Sequence, residues 1–357
     1  RGRFPKASNM NATFGLVFDN FQPEGLAFEG DLKFGDLTTI LDADSIVPEN
    51  YMTLTAAEFV LDPKLAYIQH KSRPNNPNEN YFAWAIARFT QNLYQIVFSS
   101  STRHGDPAPF VGHNATLRTE LIRNNPSGYT EEGKTEYFSE RHVSEDAEWS
   151  MRLITQGYHG RYMDVEGGVF GETVTRTFDE EIAKITRYGY GAAEIVFNPI
   201  RDWLRKGPFT KLFINYLKSP YIPWYAKMNE ISYLAIYFAI GSIFLMVPFV
   251  VGFVTIGIPW GLVTQSYLWA YVVTFLAFSV LSPVNMVITR SKMQTLEKYS
   301  QEIHAGSGLS EIGGEFKFAF LLTLFYSASP YHVFRAITFY FFGLPYKSSA
   351  TPKDPIQ

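Results

Sequence analysis

The sequence of 357 residues contains no cysteine. This absence excludes disulfide bonds, thiolate nucleophiles and zinc sites built on thiolates. Charged residues are also scarce, since they make up 18% of the chain, whereas about 25% is usual for soluble domains. The net charge of -3 gives a nucleic acid no basic field to bind, so no nucleic-acid partner is expected.

Aromatic residues are abundant at 17% of the chain, so the protein has a large apolar surface to bury in a core or in lipid. Up to residue 199, short apolar runs alternate with stretches of helical periodicity. The runs at 37–48 and 65–71 predict strands, and those at 50–61, 81–100 and 146–158 predict helices. This alternation predicts an α/β domain.

Two long runs without charge follow, at Ile231–Ile258 and Ser266–Ile288. Each exceeds the roughly 20 apolar residues that cross a bilayer core, and only the segment PWGLVTQ separates them, so they predict a transmembrane hairpin. A third apolar run, Phe316–Tyr346, contains charged residues and a proline. We expect it to span as a broken helix, with a position at the membrane interface as the alternative.

The segment 200–230 interleaves basic and aromatic residues just before the hairpin. Next to membrane spans, this pattern predicts helices that lie in the lipid headgroup layer. The positive-inside rule then puts both flanks of the hairpin, and the α/β domain, in the cytosol. The basic residues are Arg201, Arg205, Lys206, Lys211, Lys218 and Lys227 before the hairpin, and Arg290, Lys292 and Lys298 after it.

Two carboxylates follow the first predicted strand, in the sequence LDADS. Asp42 and Asp44 are one residue apart, and alternate residues of a strand point to the same side. Mg²⁺ or Mn²⁺ is held by one or two carboxylates together with substrate phosphate oxygens, so the pair is a candidate metal site. The alternative is a pair of solvated acids at a strand end.

A second acidic pair, Glu145 and Asp146, stands where a helix is predicted to begin. Acids are favoured there because they bind the free N–H groups and complement the helix dipole. Alternatively, one of them is a general base that takes a proton from a hydroxyl nucleophile. The spacing alone is compatible with both readings.

In chain order the sequence shows KASNMN, LDADS, GHN, SED and KITRY, followed by the basic segment and the hydrophobic hairpin. This succession resembles the membrane-embedded family-two glycosyltransferases, inverting enzymes that include cellulose, hyaluronan, chitin and osmoregulated β-glucan synthases. The sequences GHN, SEDAEWSMRL and RYGYG are most similar to the fungal and bacterial β-glucan synthase type. The resemblance covers nearly the whole chain. It implies a GT-A fold, a Rossmann-like mixed sheet, whose first β-α-β unit is expected upstream of Arg1.

The resemblance implies the residues that bind the nucleotide-sugar donor. Asp42 and Asp44 match the D-x-D motif that meets the nucleotide diphosphate and its Mg²⁺ or Mn²⁺. Lys6 and Asn9 match a helix near the nucleotide pocket. Arg187 matches the arginine of the Q-x-x-R-W motif and would pair with the diphosphate.

The resemblance also implies the reacting and acceptor-binding residues. Asp146 matches the catalytic base of the T/S-E-D motif, and Glu145 beside it shapes the acceptor site. Gly112, His113 and Asn114 match the loop where donor sugar and acceptor meet. There the His113 and Asn114 side chains would bind sugar hydroxyls or the diphosphate, and Gly112 would permit close approach of the backbone.

Two further expectations concern residues near these motifs. Arg118 is expected to brace the structure by pairing with a carboxylate. Lys184 and Tyr188 replace the glutamine and tryptophan of the Q-x-x-R-W motif. Tyr188 retains an aromatic platform on which an acceptor sugar stacks, but the two replacements leave open whether the product is a long polymer.

The implied function is transfer of a sugar, most plausibly glucose, from a UDP-sugar to a growing β-glucan at the plasma membrane. Transfer of one sugar to a lipid carrier and a catalytically silent membrane scaffold are the alternatives. The implied partners are the donor, a polysaccharide or glycolipid acceptor, membrane lipid, and a second copy or another subunit that completes a channel. The predicted organisation is a cytosolic domain at 1–199, interfacial helices at 200–230, a transmembrane region at 231–346 and a tail at 347–357.

Overall fold

The computed structural model describes residues 5–19, 33–165, 168–257, 265 and 309–344. Up to residue 199, strands and helices alternate, which confirms the predicted mixed α/β architecture. The predicted span 266–288 and the tail 347–357 lie outside the described residues. The helices of this part are α1 (Pro5–Phe18), α2 (Tyr51–Leu61), α3 (Tyr81–Asn92), α4 (Ser99–Arg103), α5 (Thr119–Asn124), α6 (Glu145–Thr155) and α7 (Phe178–Val196).

Four strands form the central sheet in the order β1-β4-β2-β7. Strand β4 runs antiparallel to β1 and β2, whereas β2 and β7 are parallel. The carboxyl ends of β1, β2 and β7 therefore meet the amino end of β4 at one edge, which we call the site edge. The strands are β1 (Leu37–Ile40), β2 (Leu65–His70), β4 (Ala115–Arg118) and β7 (His159–Met163).

Two small sheets complete the strand pairing. Strand β3 (Ser72–Pro74) pairs in parallel with β8 (Phe170–Glu172), and β5 (Gly128–Tyr129) pairs with β6 (Thr135–Glu136) in antiparallel fashion. Because β3 begins just after β2 ends, the β3–β8 pair continues outward from the site edge. It thereby carries Glu172 to that edge.

The predicted strand at 65–71 and the predicted helices at 50–61 and 146–158 correspond to β2, α2 and α6. The predicted helix at 81–100 is interrupted by a π-helix, Leu93–Phe98, between α3 and α4. Asn80 fixes the start of α3, because its side chain accepts a hydrogen bond from the Ala83 amide at 2.8 Å. Gly157, with a φ of 93°, turns the chain sharply just after α6.

The main core joins the central sheet to α1 and α6. The ring of Phe110 lies 5.2 Å from that of Tyr67 in β2 and 5.5 Å from that of Trp149 in α6. Phe14 of α1 stacks on Phe138 at 5.9 Å within the same cluster. Large aromatic side chains supply most of the apolar area that such a core removes from water. This cluster therefore fixes the positions of α1 and α6 relative to the sheet.

Beyond α7 the chain continues in helices that pack on one another. Helix α7 begins with a capping box, in which Thr177 and Glu180 satisfy each other's backbone amides. Gly189 of α7 lets Val333 of α12 (Ser329–Phe341) approach closely. The ring centres of Tyr190 and of Tyr340 in α12 are 5.4 Å apart. The helices of this part are α8 (Trp203–Lys206), α9 (Lys211–Lys218), α10 (Trp224–Thr255), α11 (Leu309–Tyr326) and α12 (Ser329–Phe341).

The predicted interfacial segment 200–230 contains short helices with exposed aromatic side chains, among them Tyr221 and Trp224. Two of its aromatic residues behave differently from the expectation. Phe213 and Tyr216 of α9 are buried in a cluster with Ile154 of α6. They are unable to face lipid headgroups because the α6–α9 contact removes them from the surface.

Helix α10 contains most of the first predicted span, but it begins at Trp224 rather than at Ile231 and ends at Thr255. Among the described residues it is the one helix that is long and apolar enough to cross a membrane, over Trp224–Phe253, and its most apolar stretch of 18 residues has a mean hydropathy of 2.4. Pro248 lies inside the helix without ending it. By length and composition, α10 is a candidate membrane span.

The third apolar run, 316–346, is broken as expected, but neither of its helices meets the criteria for a membrane span. Helices α11 and α12 are separated by Ser327 and Ala328. Pro330 stands at the start of α12, where its missing N–H is tolerated. These helices do not confirm the expectation that this run spans a membrane. We define residues 309–341 as the helical elbow.

Candidate active site

Helix α1 places Lys6 beside the first acidic motif. Its Nζ atom lies 3.1 Å from Asp42 Oδ1. Asp42 is outside β1, in a turn where the Ser45 amide donates to the Asp42 carbonyl at 3.0 Å. The Asp42 carboxylate is partly exposed at the site edge, so it is accessible to a ligand.

Asp44 takes a different direction from Asp42. It is buried, and its Oδ2 accepts a hydrogen bond from the Thr173 amide at 3.2 Å. The expectation that strand alternation points both carboxylates to one side is therefore wrong, because the strand ends at Ile40 and the turn separates the two side chains. Asp44 is instead held by the backbone of Thr173, the residue that follows Glu172.

The turn at Gly112 touches the predicted base. Gly112 has a φ of 79°, and a Cβ atom added there would lie 2.9 Å from Asp146 Oδ2. A side chain at this position would be strained and would collide with the carboxylate. Gln69 holds the turn, since its Oε1 accepts from the Val111 amide and its Nε2 donates to the His113 carbonyl.

His113 bridges two acids at the site edge. Its Nε2 lies 2.7 Å from Glu172 Oε2, and its Nδ1 lies 4.0 Å from Asp42 Oδ2. Burial alone would lower the pKa of His113, but the hydrogen bond and charge of Glu172, together with Asp42, outweigh burial and raise the pKa. His113 therefore carries positive charge more readily than an ordinary histidine.

Asn114 is fully buried and has a φ of 48°. Its amide nitrogen donates to Ser72 Oγ at 3.0 Å and to the Gly171 carbonyl at 3.4 Å. In this position the side chain supports the loop from inside. The predicted direct contact of Asn114 with the acceptor is therefore replaced by a role in holding β3 and β8 against the turn.

Arg118 is a brace, but its predicted carboxylate partner is wrong. Its guanidinium donates to the backbone carbonyls of Phe59, Asp62 and Leu65 at 3.0 to 3.2 Å. These carbonyls lie around the end of α2 and the start of β2, where α2 leaves carbonyls without partners inside the helix. Arg118 thus ties α2 to the central sheet.

Glu145 and Asp146 form the first turn of α6. Asp146 Oδ1 accepts a hydrogen bond from the Ala147 amide at 2.7 Å. Burial raises the pKa of both carboxyls, and the charge of Asp146 contributes to raising that of Glu145 to about 7. Carboxylates that merely cap a helix are stabilised in the charged form, which lowers their pKa. The opposite shift favours a functional role for this pair.

Two cations balance the acidic pair. The positive charges of Lys6 and Arg187 act on both Glu145 and Asp146 and lower their pKa values against the effect of burial. Arg187 projects from α7, and its guanidinium carbon lies 5.5 Å from the ring centre of Tyr188. The Tyr188 ring in turn meets Tyr237 of α10 at 6.4 Å. Helices α1, α6, α7 and α10 thus converge here.

Lys184 lies one turn before Arg187 on α7. Its Nζ lies 2.6 Å from a carboxylate oxygen of Glu181. Asn9 is the predicted residue that the structure leaves outside this group, since it is exposed on α1. Its carbonyl accepts a hydrogen bond from Thr13.

Sequence reasoning missed two residues of the site. Glu172 binds His113 and also accepts a hydrogen bond from the Tyr94 hydroxyl at 3.2 Å. Glu181 binds Lys184. Glu172 is a single acid without a neighbouring motif residue, and Glu181 ends an acidic run at the start of α7, where acids are common. Nothing in the local sequence therefore distinguished them from solvated acids.

Comparison with known proteins identifies the family. The family model described as glycosyl transferase family group 2 matches residues 37–291. This range covers most of the chain and contains the acidic motifs, the Gly112 turn and Arg187, so the chain belongs to this family and is a glycosyltransferase. No curated protein matches the chain.

The raised pKa of Glu145 predicts a pH-dependent change in stability. A carboxyl whose pKa is higher in the folded state than in the unfolded state destabilises the fold once the pH rises through the folded value. Glu145→Gln removes this penalty. We expect the variant to exceed the wild type in free energy of unfolding by about 2 kcal/mol at pH 8, with little difference at pH 5.

Thermal unfolding at the two pH values measures this difference. Glu131→Gln, which removes an exposed carboxylate, is the control and should change neither value. An equal effect of Glu145→Gln at pH 5 and pH 8 would contradict the assignment.

Proposed function

We propose that this glycosyltransferase moves a sugar, with glucose the favoured donor residue, from a UDP-sugar to a growing β-glucan with inversion at the anomeric carbon. One observation carries the proposal: the Gly112 turn lies against Asp146 while Lys6 and Arg187 balance the charge of the same acidic pair. The proposed base Asp146 thereby lies close to two cations, Lys6 and Arg187, that would stabilise a leaving diphosphate. Inverting transfer requires both.

The proposed reaction is a single displacement. Asp146 accepts the proton of the acceptor hydroxyl, and the hydroxyl oxygen forms a bond to the anomeric carbon of the donor sugar. The bond from that carbon to the diphosphate oxygen breaks on the opposite side, so UDP leaves with the bonding electrons. Lys6 and Arg187 stabilise the charge that develops on the diphosphate.

The acidic motif fits a divalent metal ion. Asp42 offers a partly exposed carboxylate and Asp44 a second one, and hard oxygen ligands of this kind suit Mg²⁺ or Mn²⁺. The described residues contain no group of three or more acidic or histidine side chains arranged around a metal site. Asp42 and Asp44 would hold the ion together with the diphosphate of the donor. When bound, it would neutralise part of the diphosphate charge.

The membrane part of the proposal is supported by α10 and by the residues before it. The apolar side chains Phe249, Val251 and Phe253 of α10 are exposed to the surroundings, as expected for a helix in lipid. Basic residues and exposed aromatic side chains of 200–227 suit the lipid headgroup layer. We propose that α10 anchors the enzyme with its catalytic domain in the cytosol, where UDP-sugars are used.

Two other functions would give different results in an assay of sugar transfer and UDP release. A single sugar transferred to a lipid carrier would give a short glycolipid rather than a long polymer on thin-layer chromatography. A catalytically silent scaffold would release no UDP. The acidic pair of raised pKa, held between two cations, favours an active enzyme over a scaffold.

Asp146→Asn tests the assignment of the base. The substitution keeps the shape of the side chain and removes its ability to accept a proton, so turnover should fall about 100- to 10,000-fold. Loss of a helix cap alone would cost about 1 kcal/mol of stability and leave an active enzyme. Transfer rate and melting temperature are measured on one preparation, with Glu145→Gln in parallel. A near-wild-type rate for Asp146→Asn would remove the catalytic assignment.

Asp42→Asn and Asp44→Asn test the metal site. Each should reduce the Mn²⁺-dependent part of UDP affinity by about 10- to 100-fold, because each removes a charged oxygen ligand. Calorimetric titration of UDP with and without Mn²⁺ measures this without any transfer reaction. Asp179→Asn, at an exposed position of α7, is the control. Unchanged metal dependence in both variants would return the pair to a purely structural role.

The absence of native cysteine gives a direct test of the topology. Gln265→Cys, beyond the end of α10, should react with a membrane-impermeant maleimide added to intact cells. Ser100→Cys, in the α/β domain, should react only after the membrane is permeabilised. Labelling of Ser100→Cys in intact cells, or protection of Gln265→Cys there, would overturn the proposed orientation.

A further inference from the structure

The helical elbow at 309–341 reaches the active site through one hydroxyl group. The Tyr326 hydroxyl, at the end of α11, donates a hydrogen bond of 2.7 Å to Glu181 Oε1 on α7. The Tyr326 ring packs beside Phe82 and Leu322, over buried residues of α3. The elbow lies beyond the residues that match the family model. A contact from outside the matched range therefore touches the helix that carries Arg187.

Glu181 is almost completely buried and depends on its partners. Its second oxygen accepts a hydrogen bond from Thr175 Oγ1 at 2.5 Å and lies 2.6 Å from Lys184 Nζ. A buried carboxylate is costly unless it is fully hydrogen-bonded and paired with a cation. Tyr326 supplies one of these bonds, so its hydroxyl helps to keep Glu181 in place.

The position of Glu181 determines that of Lys184. A lysine side chain has several rotatable bonds and stays in one conformation only when its ammonium group is held. Lys184 is partly exposed, with 24% of its side chain accessible, so its other conformations reach solvent. Burial would lower the pKa of Lys184, but the charge of Glu181 and the further charge of Glu172 raise it. The ammonium group is thus held in its charged form chiefly by Glu181.

We propose that Tyr326 is a positioning residue, whose hydroxyl acts through Glu181 to hold Lys184, the residue that replaces the glutamine of the family's Q-x-x-R-W motif and is expected to bind the acceptor. The inference rests on the proposed function, because Lys184 affects acceptor binding only if the enzyme transfers sugars there. The elbow then forms part of the active site in addition to packing on α7 and α10. Correct docking of the elbow becomes a condition for binding the acceptor.

Tyr326→Phe tests the proposal, because it removes the hydroxyl and keeps the ring that packs on α3. We expect the acceptor KM to rise about five- to tenfold, somewhat less than the full loss of one hydrogen bond to a charged group, because Tyr326 acts on Lys184 only through Glu181. The donor KM and the Mn²⁺-dependent affinity for UDP should stay unchanged. Tyr331→Phe, a matched change at an exposed tyrosine of α12, should leave all values at the wild-type level.

A double variant separates positioning from general loosening of the fold. If Tyr326 acts through Lys184, Tyr326→Phe has no further effect on the acceptor KM in a Lys184→Gln background. Additive effects of the two changes would overturn the proposal. A fall in kcat with an equal rise in both KM values and a lower melting temperature would also overturn it, since that pattern indicates damage to the whole domain.

A labelling experiment tests the contact independently of catalysis. Mild acetylation of the intact protein, followed by mass spectrometry, should modify Lys184 several times faster in Tyr326→Phe than in the wild type. The exposed Lys134 serves as the internal reference. Equal rates at Lys184 would overturn the positioning role. If the wild type transfers no sugar but labelling changes as expected, the proposed function fails and the positioning contact stands.

Discussion

The close approach of the Gly112 turn to Asp146 is the contact on which the candidate active site depends. It confines the acidic pair in a space that is too dry for two free negative charges, so the pair needs cations. Lys6 from α1 and Arg187 from α7 supply them. A charged ligand or an acceptor hydroxyl changes this balance at once, which is the property that a site for proton transfer and diphosphate departure requires.

The fold serves this contact by bringing together segments that are far apart in sequence. The Gly112 turn enters at the amino end of β4, and Asp42 arrives just beyond β1, because β4 runs antiparallel in a sheet that is otherwise parallel. The aromatic cluster around Trp149 fixes α1 and α6 on the same core, so Lys6 and Asp146 have little freedom to separate. The geometry of the site is thus a consequence of packing, and the loops add only the final side chains.

Local pattern was enough to predict the strand–helix alternation and to single out the two acidic motifs, because periodicity and short motifs depend on neighbouring residues. Arg187 was named only through the resemblance to the glycosyltransferase family. It was not enough where the partner of a side chain lies far away in the sequence. The Asp44 carboxylate accepts a hydrogen bond from the Thr173 amide, and the buried Asn114 side chain donates one to Ser72. Arg118 donates to backbone carbonyls instead of pairing with a carboxylate. Glu172 was missed for the same reason, since its partners His113 and Tyr94 lie tens of residues away. Glu181 was missed because acids at a helix start are common, and its distant partner Tyr326 leaves no local signal.

Helix α7 connects the reaction side of the molecule to its apolar side. One part of its surface carries Lys184 and Arg187 to the site, while Gly189 and Tyr190 pack against α12. A helix is stiff over this length. A displacement of α12 would therefore move the whole of α7 and shift the positive charges of Lys184 and Arg187 relative to Asp146. Gly189 has only a hydrogen atom in place of a side chain, so α7 and α12 come into close contact there, and this contact tightens the coupling. The elbow therefore influences the site both through the position of α7 and through the hydroxyl of Tyr326.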